Sequence, residues 1–242
     1  QLEDNYFQSS VIDFDKDRSD RSTYKLLGGS IGFYGSTLNT RQYATKGYLE
    51  KLIAQVFTGR ERFEPGNPQE GYSPSPQERQ SWLQISYMKE AYHTMGPKFT
   101  LGWMAEALYS SKNFSENYTA TMMQAGEFAP TPHSKLMYNE AFRANQYVAA
   151  GIKPIYVLND MFQFRTEFYG FTPIFPIKKN ALNKAYYGKA FSRFEYMGEV
   201  SVICHLPFGA ISAYVNHYSS PRREWNVGMT IGWQLFNYRF VE

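Results

Sequence analysis

Apolar and polar residues alternate with a period of two along most of this chain. The clearest run is Trp225 to Phe236, where Trp225, Val227, Met229, Ile231, Trp233 and Leu235 alternate with Asn226, Gly228, Thr230, Gly232 and Gln234. Successive side chains of a strand point to opposite faces, so this run has one apolar face and one small or polar face. Phe236, Tyr238 and Phe240 follow as alternating aromatics in the opposite phase. Turn signals divide the sequence into about ten such segments. They fall at roughly 5–13, 24–38, 48–57, 82–92, 99–109, 147–158, 162–171, 195–206, 210–218 and 225–236. In the fifth, Phe99, Leu101, Trp103, Ala105, Ala107 and Tyr109 share a face; in the seventh, Phe162, Phe164 and Phe168 oppose Gln163, Arg165 and Glu167.

The connections alternate too. Short links at 43–47, 93–97, 159–161 and 207–209 separate long polar ones at 13–23, 65–81, 110–146 and 172–194, with 219–224 the shortest of the long set. Tight turns on one side and large loops on the other describe an up-and-down barrel of the bacterial outer membrane. The expected fold is therefore all-β, an antiparallel transmembrane barrel with both chain ends on the periplasmic side. A soluble sandwich or lipocalin-like barrel also alternates, but rarely carries connections beyond about 15 residues at every second turn. Trp82, Tyr92, Tyr109, Tyr147, Trp225 and Trp233 stand at segment ends, as interfacial aromatic girdles require.

Composition agrees. Aromatics make up 18% of the 242 residues, with 20 Tyr and 19 Phe. Mean hydropathy is −0.49, a value that hides lipid-facing residues when only every second one meets lipid. No apolar run of about 18 residues exists, so no transmembrane helix is expected. The net charge of +3, with scattered basic residues, gives no support for nucleic-acid binding. The one cysteine, Cys204, reads as a small packing residue.

Candidate chemistry is sparse. Gly28-Gly29-Ser30-Ile31-Gly32 is a literal G-x-S-x-G, but a nucleophile elbow needs a strand-to-helix turn, and an extended segment continues here. His93, His133, His205 and His217 are dispersed without metal-ligand spacing. His205 and His217 lie on neighbouring segments with Ser201 and Ser212 near them, the best arrangement for a hydrolase within the wall. The link 110–146 ends in Phe142-Arg143-Ala144-Asn145 with five segments after it. An arginine there can fold into the lumen if a wall carboxylate pairs with it. Glu167 is the expected partner, with Glu199 and Glu106 next.

Several stretches look familiar in order. Thr37-Leu38-Asn39-Thr40-Arg41-Gln42-Tyr43-Ala44-Thr45-Lys46-Gly47 resembles a T-L-N-x-x-Q-Y-x-T-x-G stretch in the C-terminal barrel of bacterial patatin-like phospholipases. Asn117-Tyr118-Thr119-Ala120-Thr121, Phe142 to Asn145, Ala150 to Tyr156, Arg165 to Tyr169 and Pro207-Phe208-Gly209 fit the same pattern. That barrel is similar to those of the bacterial surface antigen superfamily, which includes outer-membrane assembly factors. The resemblance implies a sixteen-strand barrel of which this chain holds the last ten, so a fragment is expected. It implies a V-R-G-F/Y-like motif at Phe142-Arg143-Ala144, departing from it at Ala144, with Arg143 locked against Glu167. It implies a lipase domain preceding Gln1, and no Asp-Gly pair of its dyad occurs in this chain.

Together these give a non-catalytic outer-membrane anchor or translocator for a patatin-like phospholipase. The alternatives are a barrel-embedded hydrolase and an assembly factor for other outer-membrane proteins. The expected partners are outer-membrane lipid, the barrel assembly machinery during insertion, a covalently attached lipase domain and a second copy in a homodimer. No cofactor or metal is expected. Phe142, Arg143 and Glu167 are the expected inward-loop lock. Trp225, Val227, Gly228, Ile231, Trp233, Phe236 and Phe240 are the expected closing-strand insertion signal.

Overall fold

A computed structural model describes residues 1–8, 17–67, 78–207, 209–220 and 225–233. Ten strands form one sheet: β1 Leu2–Tyr6, β2 Asp20–Ser36, β3 Gly47–Glu64, β4 Glu78–Thr94, β5 Phe99–Ser110, β6 Gln146–Val157, β7 Phe162–Pro173, β8 Glu195–Leu206, β9 Gly209–Tyr218 and β10 Trp225–Trp233. Each pairs antiparallel with its chain neighbours in strict up-and-down order. The sequence-derived segments coincide with these strands, but β2, β3 and β4 run longer than expected, to 17, 18 and 17 residues. Their extensions into the long connections are charged on the outward face and lack the apolar alternation that marks the rest. β1 begins earlier than the expected 5–13, and residues 9–16 lie outside the described set. Pairing between β1 and β10 is not found among the described residues, as ten strands of a larger barrel would show.

The register carries the sequence pattern from β2 to β10, whereas β1 turns Glu3 and Asn5 outward. One face runs through Ile31, Ala54, Ile85 and Tyr109. It continues through Ile152, Phe168 and Gly198, then Val200, Val215 and Val227. This outward face is apolar and open. Ile31 and Val227 are each 78% exposed and Ile231 60%. Fully burying one such side chain is worth about 1.5–3 kcal/mol. A contiguous face this size, left against water, far exceeds the few hundred Å² that soluble monomers tolerate.

The other face is filled. The segment between β5 and β6 folds over it, carrying helix α1 (Tyr118–Gln124), capped by the Asn117 side chain at 2.8 Å from the Ala120 amide. Phe128, Ala141, Phe142 and Ala144 of this segment pack against Met104 and Leu108 of β5, Tyr147 and Ala149 of β6, Tyr169 and Phe171 of β7, Met197 of β8 and Tyr218 of β9. The segment also reaches both margins of the sheet. Gln124 donates to Asp4 of β1 at 2.6 Å, and His133 contacts Ser212 of β9 and Thr230 of β10.

The β2–β3 connection enters from the opposite end. Asn39 Oδ1 accepts from the amides of Thr45 and Lys46 at 3.0 and 3.1 Å. Gly47 closes the turn at φ +89°, where a Cβ would stand 2.1 Å from the Thr37 carbonyl oxygen. Tyr43 adopts φ +55°, a strained conformation for a bulky residue, and its side chain points inward.

The girdle expectation is corrected in part. Tyr109 and Trp225 are exposed on the outward face, at 46% and 71%, but Trp82, Tyr92 and Tyr147 are buried on the inner one. Strand-end position gave the height of these three residues, whereas the phase of the alternation gave their face. Their polar atoms and ring faces meet interior partners there.

Candidate functional site

Three polar clusters occupy the inner face. The first surrounds Arg143, the C-terminal neighbour of Phe142. Residues Gly126–Glu127 pair with Arg143–Ala144 in a short two-stranded ladder that sets Glu127 opposite Arg143. The guanidinium donates to Glu127 Oε2 at 2.8 Å and to the carbonyls of Met123 and Ala125 at 3.0 and 3.3 Å. It lies 4.7 Å from the Tyr138 ring centroid. Carbonyls at a helix end lack intrahelical donors and carry the negative end of the dipole. Arg143 therefore caps α1 and staples the inserted segment to itself.

The expected pairing of Arg143 with Glu167 is thereby corrected. Glu167 is held by Arg165 Nε at 2.9 Å and by the Tyr169 hydroxyl at 2.6 Å. Glu199 and Glu106 are engaged elsewhere, by His133 and Tyr147. Local ladder register decided the partner of Arg143, and sequence spacing holds no trace of a two-residue strand. Phe142 stands where expected, fully enclosed, its ring centroid 5.6 Å from that of Phe171 and 5.8 Å from that of Tyr218.

The second cluster is the buried ionic network around Arg165 and Glu167. Arg165 Nη1 donates to the Ala44 carbonyl at 2.9 Å and Nη2 to the Tyr92 hydroxyl at 3.4 Å. Lys153 pairs with Glu90 at 3.0 Å, and Glu90 also accepts from Tyr92. Gln163 donates to the Tyr43 carbonyl at 3.1 Å. These contacts tie β4, β6 and β7 to the β2–β3 connection. Buried ions add little net stability as pairs, but stripping one partner strands the other at about 3–5 kcal/mol.

The third cluster was not anticipated. His133 Nδ1 lies 2.7 Å from Glu199 Oε1, and Nε2 lies 3.0 Å from Ser212 Oγ. The imidazole stacks on Tyr214 with centroids 3.6 Å apart. Thr131 Oγ1 donates to the other Glu199 oxygen at 3.0 Å. The order Ser–His–Glu and the distances match those of a nucleophile, base and orienting acid. Ser212 Oγ, however, also meets the Tyr43 hydroxyl at 2.9 Å and Thr230 Oγ1 at 2.6 Å, which uses its one donor and two acceptors. All three residues are buried. The neighbouring strand amides are committed to the ladder, which leaves none pointing at a developing oxyanion. Burial raises the Tyr43 phenol above its ordinary range, which keeps it a neutral donor to Ser212.

Ser212 was singled out in the sequence; its partner His133 was not, because it lies 79 residues away on a loop. The histidines expected to approach each other do not. His205 faces inward against Gln163 at 2.9 Å. His217 packs against Trp225 with ring centroids 4.9 Å apart. Ser30 sits mid-strand in β2, opposite Gln55, with no elbow. Among the described residues no cluster of His, Cys, Asp and Glu can hold a metal ion.

A second buried lysine, Lys112, lies elsewhere in the interior. Lys112 stands 4.9 Å from the Trp82 ring centroid and 5.3 Å from that of Tyr24, and donates to Gln124 Oε1 at 3.1 Å. Burial lowers its pKa to about 8, opposed by the carboxylates of Glu61 and Asp4.

Of the expected insertion signal, Trp225, Val227, Gly228, Ile231 and Trp233 lie in β10, in register with His217, Val215, Tyr214, Ile211 and Gly209. Phe236 and Phe240 lie outside the described residues. Gly228 has a clear physical role: a Cβ there would fall 2.5 Å from the Tyr214 hydroxyl, and Tyr214 is the residue stacked on His133.

Comparison with protein-family models, with curated proteins and with solved structures finds no match for this chain. The fold defines an all-β, up-and-down antiparallel protein with no helix long and apolar enough to cross a membrane among the described residues.

Proposed function

We propose that this chain is the membrane-spanning unit of an outer-membrane β-barrel, and that it anchors or helps export a patatin-like phospholipase domain. The observation that carries the first half is the outward apolar face, set by register from β2 to β10 and opposed by a face rich in buried polar groups. A hydrocarbon solvent makes both faces favourable at once. The second half rests on the motif resemblance, and the inward-folded segment with Phe142 and Arg143 supports it. The β5–β6 segment and the β2–β3 connection fill the interior, so passage of a polypeptide would require their displacement.

The test is expression of the chain behind a secretion signal, followed by extraction. The proposal expects detergent-dependent solubility and a mobility on gels that changes with heating. Full solubility without detergent would contradict it. Fusion to a patatin-like domain, with surface protease accessibility as readout, tests export.

One observation favours a second reading, a hydrolase within the wall: the Ser212–His133–Glu199 geometry. A fluorophosphonate probe on the purified chain separates the two. Covalent labelling lost in Ser212→Ala would establish the enzyme, and no labelling leaves the cluster a clasp.

A further inference from the structure

We infer that the outward face of β2, β3 and β4, at the end bearing the long connections, binds the phosphates of a phosphorylated glycolipid in the outer leaflet. The inference rests on the barrel reading above, which directs the long connections outward from the cell. Lys25, Arg60 and Arg79 stand directly opposite one another in a single register row across the three strands. All three are exposed and on the same face as Leu27, Val56 and Leu83. Like charges directly opposite on neighbouring strands repel and destabilise the pairing. An anion spanning the row would relieve that repulsion.

No carboxylate of the described residues does so. The nearest outward ones are already engaged: Glu3 with Arg21 at 2.6 Å and Glu64 with Arg62 at 2.8 Å. Lys25 and Arg60 have no ion partner among the described residues, while Arg79 rests Nε on Thr58 Oγ1 at 3.4 Å. A cleft of about 320 Å³ opens here between Arg21, Lys25, Arg60 and Arg62, with the Arg62-paired Glu64 at its rim and Arg79 outside it. Guanidinium groups bind phosphate oxygens through paired N–H donors, and a lysine adds a point charge.

The position selects a lipid over a free anion. Leu27 follows Lys25 by two residues, and Val56 precedes Arg60 by four. At about 3.3 Å per residue the cations stand roughly 7–13 Å beyond the first apolar side chains. That spacing suits a molecule whose phosphates sit at the headgroup level while its acyl chains lie along the belt. Inorganic phosphate would use the cations and leave the belt unused.

The test is native mass spectrometry of the detergent-folded chain and a Lys25→Gln/Arg60→Gln/Arg79→Gln variant. Each is offered bisphosphorylated lipid A, its dephosphorylated form, phosphatidylglycerol or inorganic phosphate. The expected result is retention of the bisphosphorylated glycolipid, weakened in the triple variant on the order of a hundredfold, about fivefold for each cation. Lys89→Gln, at the opposite end of β4, should bind like the parent chain. Equal binding by parent and triple variant, equal retention of the dephosphorylated form or of phosphatidylglycerol, or binding of inorganic phosphate alone would overturn the inference. Heat-dependent mobility of the parent chain separates the two failures. A chain that folds as a barrel but ignores phosphate sinks only the lipid site, and one soluble without detergent sinks both.

Discussion

Replacing Arg143 with alanine should release the inserted segment locally while leaving the sheet intact. The guanidinium is 12% exposed and makes one ion pair, with a Glu127 side chain that is 31% exposed, plus bonds to two carbonyls at the end of α1. A hydrogen bond to a charged group contributes about 1.5–3 kcal/mol. The partly solvated ion pair belongs near the bottom of that range. With the helix-end carbonyls left without donors, the loss is about 2–4 kcal/mol, or roughly 30- to 1,000-fold in the local opening equilibrium at 1.36 kcal/mol per decade. Hydrogen exchange at the amides of Met122 to Phe128, in folded protein in detergent, reads this directly. A double-mutant cycle then assigns the partner. Arg143→Ala with Glu127→Gln should couple by about 1 kcal/mol, whereas Arg143→Ala with Glu167→Gln should be additive. Coupling to Glu167 with none to Glu127, or unchanged exchange in Arg143→Ala, would refute the clasp.

Other consequences follow from the interior contacts. His133→Ala should remove the hydrogen bonds to Glu199 and Ser212 and leave a void beside Tyr214, lowering unfolding stability by about 2–4 kcal/mol. His205→Ala, whose ring meets Gln163, should cost much less in the same denaturant titration. Gly228→Ala should be destabilising by about 1–3 kcal/mol, because Tyr214 is pinned against His133 and has nowhere to move. Gly29→Ala, with nothing within 4 Å of the added carbon, should be neutral or slightly stabilising. The lowered Lys112 pKa means that the unfolded chain binds more protons than the folded one between about pH 8 and the ordinary lysine value. Stability should therefore rise with pH across that window and be lost as pH falls through about 8, by at most about 3 kcal/mol. Lys112→Met should abolish the slope, measured as resistance of the 111–145 segment to proteolysis.

Much of the fold was legible because a two-residue period survives in sequence wherever one face meets an apolar medium. β5, β8 and β10 show it almost residue by residue. The far ends of β3 and β4 were illegible, since Thr58 to Glu64 lies beyond the apolar belt and loses the alternation. The interior was hidden for a different reason. Side chains on the filled face choose partners by tertiary geometry, so Arg143 meets Glu127 through a two-residue ladder and His133 meets Ser212 across 79 residues. No periodicity records either contact. Phe142, which the sequence pointed to through the motif resemblance alone, lies buried against Phe171 and Tyr218.

The central claim is that hydrocarbon, and not protein or water, covers the outward residues of these strands. Single nitroxide labels at positions 226, 227, 229, 230 and 231, placed in a Cys204→Ser background and reconstituted into bilayers, test it along β10. Collision rates with oxygen and with a water-soluble nickel chelate should alternate with a period of two. Labels at 227, 229 and 231 should be oxygen-accessible and nickel-protected, and those at 226 and 230 protected from oxygen. Uniform access of the nickel reagent to 227, 229 and 231 would contradict the account.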